Sequence, residues 1–209
     1  SDATDPDFAP EEASDEALPI FMATVDEEIE QVFSKLPEHE VFAPILGRGD
    51  DLRDRLRRMS QGGSGGRLIR PTGDLHLGQA MRTPQGWVLL DFEGEPAKPL
   101  AERRLPQPAL RDVAGMLRSF DYAAAHLLAG SPGQDPELAH LASAWAARNR
   151  AAYCAGYTAG GGVDPAGTPE LMRALEIDKA VYEVVYEARH RPSWLPIPLA
   201  AINRLALTV

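Results

Sequence analysis

From residue 108 onward, apolar side chains recur at helical spacing in three stretches, and this periodicity narrows the fold more than any other feature of the chain. The first stretch, about 108–129, carries Leu110, Val113, Leu117, Phe120 and Leu127 on one face. The second, about 135–158, carries Leu138, Leu141 and Trp145, and the third, about 169–190, carries Leu171, Leu175, Val181, Val185 and Ala188. Gly and Pro fall between them, so they are read as three separate helices. Upstream, Val25, Ile29, Val32, Phe33 and Leu36 predict a helix over 19–36 that Pro37 ends. A shorter one, about 50–60, mixes Leu52, Leu56 and Met59 with Arg53, Arg55, Arg57 and Arg58. Trp194-Leu-Pro-Ile-Pro198 excludes a helix interior and predicts a strap, with at most a helical turn or two over 199–207.

Only one segment reads clearly as β. Gln79–Arg82 and Trp87–Asp91 flank Thr83-Pro84-Gln85-Gly86, a turn tetrad with Pro second and Gly fourth. The expected fold class is therefore mostly α (α+β), a helical bundle with a small β-hairpin. Gln61-Gly-Gly-Ser-Gly-Gly66 is a glycine loop. It is not a phosphate-binding loop, because no Lys-Ser/Thr and no helix follow it.

Charge is unevenly placed. Residues 1–50 hold 14 acidic and two basic residues, whereas the remainder holds 17 acidic and 19 basic. Residues 1–18 lack an apolar period and read as an acidic flexible tail. No basic stripe offers to neutralise phosphates, so nucleic acid is not an expected partner. No apolar run is long enough to span a membrane and no signal peptide is visible, so no membrane partner is expected. The single cysteine, Cys154, reads as a structural thiol and fits a reducing, cytoplasmic setting.

The densest polar constellation is Gly73-Asp74-Leu75-His76-Leu77-Gly78-Gln79, followed by Asp91-Phe92-Glu93. If Thr83–Gly86 is the turn, cross-strand partners have numbers summing to 169 or 170, which sets Gln79 opposite Leu90 or Asp91. Asp91 and Glu93, two apart on an extended stretch, would face the same side. Two carboxylates and an amide oxygen are hard ligands suited to Mg²⁺. Asp74 is then left to accept a hydroxyl proton. That is the division of labour of phosphoryl transfer from ATP. His76 reads as a metal ligand or as a hydrogen-bonded structural residue. Lys179, Tyr182 and Tyr186 fall at i, i+3 and i+7 of the last long helix, opposite Val181, Val185 and Ala188. They read either as a wet helix face or, with Trp194, as a groove for a sugar acceptor, since aromatic faces pack on sugar rings. Asp121 and Tyr122 are further candidates for that groove.

Gly73-Asp74 with Gln79 five residues on, then Asp91-Phe92-Glu93, resembles the aminoglycoside-phosphotransferase-like branch of the protein-kinase fold. The chain is most similar to the bacterial maltokinases of glycogen and trehalose metabolism, through residues 86–104, 110–123 and 176–198. The resemblance covers about 67–207. It implies a kinase-like C-terminal lobe that transfers phosphate from ATP to maltose, giving maltose 1-phosphate. Asp74 would be the base, Gln79, Asp91 and Glu93 the Mg²⁺ ligands, and His76 and Asp112 supporting residues, with Asp112 bonding the catalytic-loop backbone. Trehalose synthase is an implied partner. The chain departs from the family at Thr72, where the family has His. No glycine-rich hairpin or strand lysine precedes the motif; the only upstream lysine, Lys35, lies in a predicted helix. The expected organisation is the tail, 1–18, and the lobe, 19–209, without the family's cap and N-lobe, and inactive by itself. Kinases for glucosamine, another sugar or an aminoglycoside remain open alternatives, as do a non-catalytic partner-binding module and a metal-dependent hydrolase.

Overall fold

The computed structural model describes residues 4–5, 9–34, 49–59, 66–95, 99–129 and 135–207. Most of the glycine loop, together with Lys35 and Pro37, lies outside them. The chain forms two compact units: Ser1–Glu12 with Gly66–Gly167, and Ala13–Gly65 with Thr168–Val209.

The first unit contains β1 (Glu11–Glu12), β2 (Arg67–Ile69), β3 (Ala80–Thr83), β4 (Gly86–Leu89), α3 (Leu100–Arg103), β5 (Gln107–Pro108), α4 (Leu110–Ala129) and α5 (Pro136–Ala159). Two of the three long helices thus lie here, within one or two residues of their predicted bounds. β3 and β4 form the predicted hairpin. Its register pairs Ala80 with Leu89 and Thr83 with Gly86, so partner numbers sum to 169. The Thr83 hydroxyl closes the turn by donating to the Gly86 carbonyl at 2.9 Å. Gly86 has φ 132, a value that only glycine adopts readily.

A second small sheet went unread. β2 lies between β1 and β5, antiparallel to both, so Glu11–Glu12 of the acidic segment pairs with Arg67–Leu68. These strands are two or three residues long, too short to show a period of two.

The buried face of α5 also differs from expectation. Leu141 is 57% exposed and Trp145 37%, while Ala142 and Ala146 are buried against Ala124 and Leu128 of α4. Leu127, expected on the core face of α4, is 58% exposed. Small residues at the contact let two helix backbones approach closely, which rotates the larger side chains to the flanks. The Phe120 ring still meets the edges of Trp145 and Tyr153, with centroids 6.0 and 6.2 Å away.

The second unit contains α1 (Ala17–Phe33), α2 (Gly49–Met59), α6 (Pro169–His190) and α7 (Pro196–Leu207). Met22, Val25 and Ile29 of α1, Leu52 of α2, and Leu199 and Ile202 of α7 are buried with α6. On α6 the core face is Leu171, Ala174, Leu175, Ile177, Val181 and Val184; Val185 is half-buried and Ala188 exposed, contrary to the sequence reading. α7 begins at Pro196, earlier than expected. Pro196 and Pro198 occupy its first turn, where backbone N–H groups have no helical acceptor in any case.

α1 and α2 are clasped by Arg53, whose Nε and Nη2 donate to the two oxygens of Asp26 at 2.9 and 3.0 Å. Glu30 lies 3.0 Å from Arg53 Nη2, and Arg57 lies 3.6 Å from Asp26. The Arg53 hydrogen bond holds the Asp26 carboxyl below its ordinary value of 3.8 against the opposing effect of burial. A lowered pKa contributes stability above the unfolded value, and that contribution disappears as pH falls through the folded one. Asp26→Asn should therefore lower the melting temperature at neutral pH. The difference from the parent should close as pH falls below 3.8. Thermal melts across that range check this.

Candidate active site

The candidate loop leaves β2 at Ile69 and runs through buried Pro71 and Thr72 to Gly73, Asp74 and Leu75. It is held from α4. The two oxygens of Asp112, in the first turn of that helix, accept from the Thr72 and Gly73 backbone N–H groups at 2.8 and 2.9 Å. Gly73 has φ +84, and a Cβ there would lie 3.0 Å from the Gly94 Cα, so both backbone conformation and space call for glycine. The segment then puts Leu75 in the core and leaves Asp74 and His76 half-buried. A methyl group on Gly115 of α4 would lie 2.7 Å from the Leu75 carbonyl oxygen, so the helix and the loop meet backbone to backbone.

His76 caps the short 3₁₀ turn Leu77–Gln79: its Nδ1 accepts from the Gly78 N–H at 3.1 Å. This is the structural of its two sequence readings. The Leu77 N–H donates to the Ser119 hydroxyl of α4 at 3.2 Å, which fixes the turn from below. Gln79 follows, and the Leu90 N–H donates to its carbonyl at 2.8 Å, extending the hairpin ladder by one bond.

That bond brings the predicted pair together. The Gln79 side-chain amide donates to the Asp91 carboxylate at 3.4 Å. The Gln79 Oε1 atom is buried and has no hydrogen-bond partner among the described residues. The stretch after β4 is not extended, however. The strand ends at Leu89, Asp91 takes φ 59, and its carboxylate accepts from the Glu93 N–H at 3.0 Å. The expectation that Asp91 and Glu93 face one side by strand alternation fails for this reason. The positive φ turns the chain, and Gly94, at φ +80, turns it again beneath Arg103. The Arg103 guanidinium donates to the Glu93 carbonyl at 3.4 Å.

Among the described residues no three His, Cys, Asp and Glu side chains gather to hold a metal. The Gln79 amide turns its NH₂ to Asp91 here; its partnerless oxygen and that carboxylate, with the amide turned over, are a different donor set. It is hard, incomplete in itself, and fits Mg²⁺, which takes its remaining ligands from water and phosphates.

Sequence reasoning missed Tyr153 and Tyr157 of α5. Their rings stack with centroids 6.4 Å apart. Burial, then the Asp112 charge, pushes the Tyr153 hydroxyl up to about 12. The same two causes raise Tyr157, opposed by Arg67. Both therefore stay protonated at neutral pH. Asp121 is taken up by Arg118, 1% exposed, at 2.8 Å and by Arg150 at 3.5 Å, while the Arg118 guanidinium lies 5.6 Å from the Tyr122 ring centroid.

Of the predicted acceptor-groove residues, Asp121 and Tyr122 lie in the first unit, whereas Lys179, Tyr182, Tyr186 and Trp194 belong to the second, where they form a group of their own. Lys179 Nζ lies 4.8 Å from the Tyr182 centroid, and Tyr182 stacks on Tyr186 with centroids 6.2 Å apart. Arg191 Cζ lies 5.3 Å from the Tyr186 ring and 4.9 Å from that of Trp194.

No family model matches the chain. Among the curated relatives similar to it are two named glucosamine kinase. One, from Mycolicibacterium smegmatis (strain ATCC 700084 / mc(2)155), is 36% identical over 139 residues, 64% of this chain and 33% of that protein. The other, from Streptacidiphilus jiangxiensis, is 31% identical over 141 residues, 66% of this chain and 32% of that protein. The chain thus spans about a third of the length of the curated relatives it matches. A solved glucosamine kinase in complex with glucosamine, ADP and inorganic phosphate superposes on 94% of this chain and 49% of its own, with TM-score 0.78 and 24% identity. Crystal form A of a glucosamine kinase gives TM-score 0.77 over 92% and 47%. The fold is that of a mostly helical, kinase-like lobe.

Gly115→Ala tests the contact between loop and helix. Its methyl group would force the Leu75 carbonyl off α4, at a cost of about 1–3 kcal/mol. Urea unfolding should show the loss; unchanged stability would mean that the loop has room to move.

Proposed function

We propose that this chain forms the acceptor-side, catalytic-loop lobe of an ATP-dependent sugar kinase, with glucosamine as the acceptor. The observation that carries the reading is the 3.4 Å contact between Gln79 and Asp91, with the Asp112-clamped loop of Asp74 next to it in the chain. The kinase-like fold and the names of the similar proteins support it. They favour glucosamine over maltose, which the motif resemblance had implied, and none of them speaks for trehalose synthase as a partner.

In this reading the Asp74 carboxylate takes the proton of the acceptor hydroxyl as its oxygen bonds to the γ-phosphorus of ATP and the bond to the β-phosphate oxygen breaks, releasing ADP. The Asp112 fork holds Asp74 in place while that happens. Gln79 Oε1 and the Asp91 carboxylate would hold Mg²⁺, with Glu93 beside them; the ion, when bound, neutralises charge on the phosphates. Lys179, Tyr182, Tyr186 and Trp194 would line the acceptor groove. A cytoplasmic setting belongs to the same reading, because ATP is available there. No helix among the described residues is long and apolar enough to cross a membrane.

Phosphate transfer from ATP by the full gene product should be strongest with glucosamine in a panel that also holds maltose, glucose and an aminoglycoside. Turnover of none would overturn the reading, and preference for maltose would restore the other acceptor. Asp74→Asn should lower kcat by roughly 100-fold or more while leaving the sugar KM nearly unchanged, since a base acts in the transition state. Gln79→Leu should raise the Mg²⁺ concentration needed for half-maximal rate, because it removes one oxygen ligand and keeps the volume.

A further inference from the structure

An acceptor groove explains the aromatic residues at the end of α6 but not the ion pair built between them. Glu187, 1% exposed, accepts two bonds from one guanidinium: Arg191 Nε at 2.9 Å and Nη2 at 2.7 Å. The Arg191 backbone N–H also donates to the Glu187 carbonyl at 2.9 Å. The guanidinium is therefore fixed both at its root and at its fork, and a bidentate fork sets its plane as well as its position. That plane lies against Tyr186 and Trp194, with Cζ 5.3 and 4.9 Å from the ring centroids. The Trp194 N–H is tied in turn to the Arg191 carbonyl at 2.8 Å. His190 closes on Tyr186 at 4.7 Å. Holding a buried carboxylate and a guanidinium together this way is costly unless the geometry is good, and here the fork is bidentate and the guanidinium lies against two rings.

The fork occupies Nε and Nη2. Nη1 makes no hydrogen bond among the described residues, and the Arg191 side chain is 46% exposed. Two N–H donors thus stay uncommitted on a partly exposed side chain that lies against Tyr186, itself 39% exposed, and Trp194. A hydroxylated pyranose ring is the chemistry that uses both features: its C–H face packs on an aromatic ring and its equatorial hydroxyls accept from a planar donor.

We propose that Arg191 is the acceptor-specificity residue of the lobe. It sets the planes of Tyr186 and Trp194 as a wedge and donates through Nη1 to a hydroxyl of the sugar packed there. This rests on the reading of α6 and Trp194 as the acceptor groove. Lysine at 191 would keep the charge near Glu187 but would lose both the planar wedge and the fork.

The test compares the full gene product with Arg191→Lys and Glu187→Gln, measuring kcat, the KM for glucosamine, the KM for ATP, and melting temperature. Arg191→Lys should raise the glucosamine KM roughly tenfold, the loss expected for one hydrogen bond to a charged group. Its kcat and ATP KM should stay within about twofold, because the residue binds the acceptor alike in ground and transition states. Glu187→Gln keeps a neutral partner for the guanidinium and should raise the glucosamine KM by less. A folded Arg191→Lys with an unchanged glucosamine KM overturns the proposal and leaves the kinase reading standing. Should Arg191→Lys melt at the assay temperature, an unchanged KM in folded Glu187→Gln overturns it instead. A parent protein that phosphorylates no sugar takes both away.

Discussion

One carboxylate holds the loop of the candidate site to its helix. Asp112 accepts from two successive backbone N–H groups, those of Thr72 and Gly73, and through them sets the path of the chain into Asp74. Hydrogen bonds of this kind, with a charged acceptor, are about twice as strong as neutral ones. The position of Asp112 in the first turn of α4 adds the favourable end of the helix dipole. Because the fork grips backbone and not side chain, it does not depend on what residue 72 carries. Thr72 can therefore stand where the motif resemblance implied His, its hydroxyl buried without a hydrogen-bond partner among the described residues. The Asp112 charge is also felt on α5, where it adds to burial in raising the Tyr153 and Tyr157 hydroxyls.

The loop is then pinned along its length by contacts that leave no slack. Leu75 enters the core, its carbonyl rests on Gly115, and the Leu77 N–H meets Ser119, so α4 touches the segment at three successive turns of the helix. Asp74 is carried between these anchors, with neighbours on both sides fixed. Rigid support of this sort suits chemistry that consists mostly of positioning, as phosphoryl transfer does.

Much of this was legible in the sequence, for physical reasons. Long amphipathic helices announce themselves by period, and a Pro-Gln turn with Gly behind it fixes hairpin register, which is why arithmetic could set Gln79 opposite Leu90 or Asp91; the observed register makes it Leu90, with Asp91 next to it. The two-residue strands β1 and β5 carry no period to read. The alanine face of α5 was hidden because the eye follows Leu141 and Trp145, the larger apolar groups, whereas helix packing at close range favours the small ones. The bend at Asp91 was hidden for another reason: aspartate tolerates the left-handed region, so nothing in the residue's identity signals it. The Glu187–Arg191 fork had a signal in its spacing of four, drowned by the charged residues around it.

Asp91 is the one non-glycine residue with positive φ among the described residues. A non-glycine residue at φ 59 holds a conformation that costs about 1–3 kcal/mol elsewhere in proteins, and asparagine or glycine would sit there with less discomfort. Aspartate tolerates the left-handed region better than most side chains, and glycine would remove the strain altogether. On the proposed reading the carboxylate would be kept at 91 as a metal ligand, so Asp91→Gly would exchange that ligand for a relaxed backbone and leave the helical core as it is.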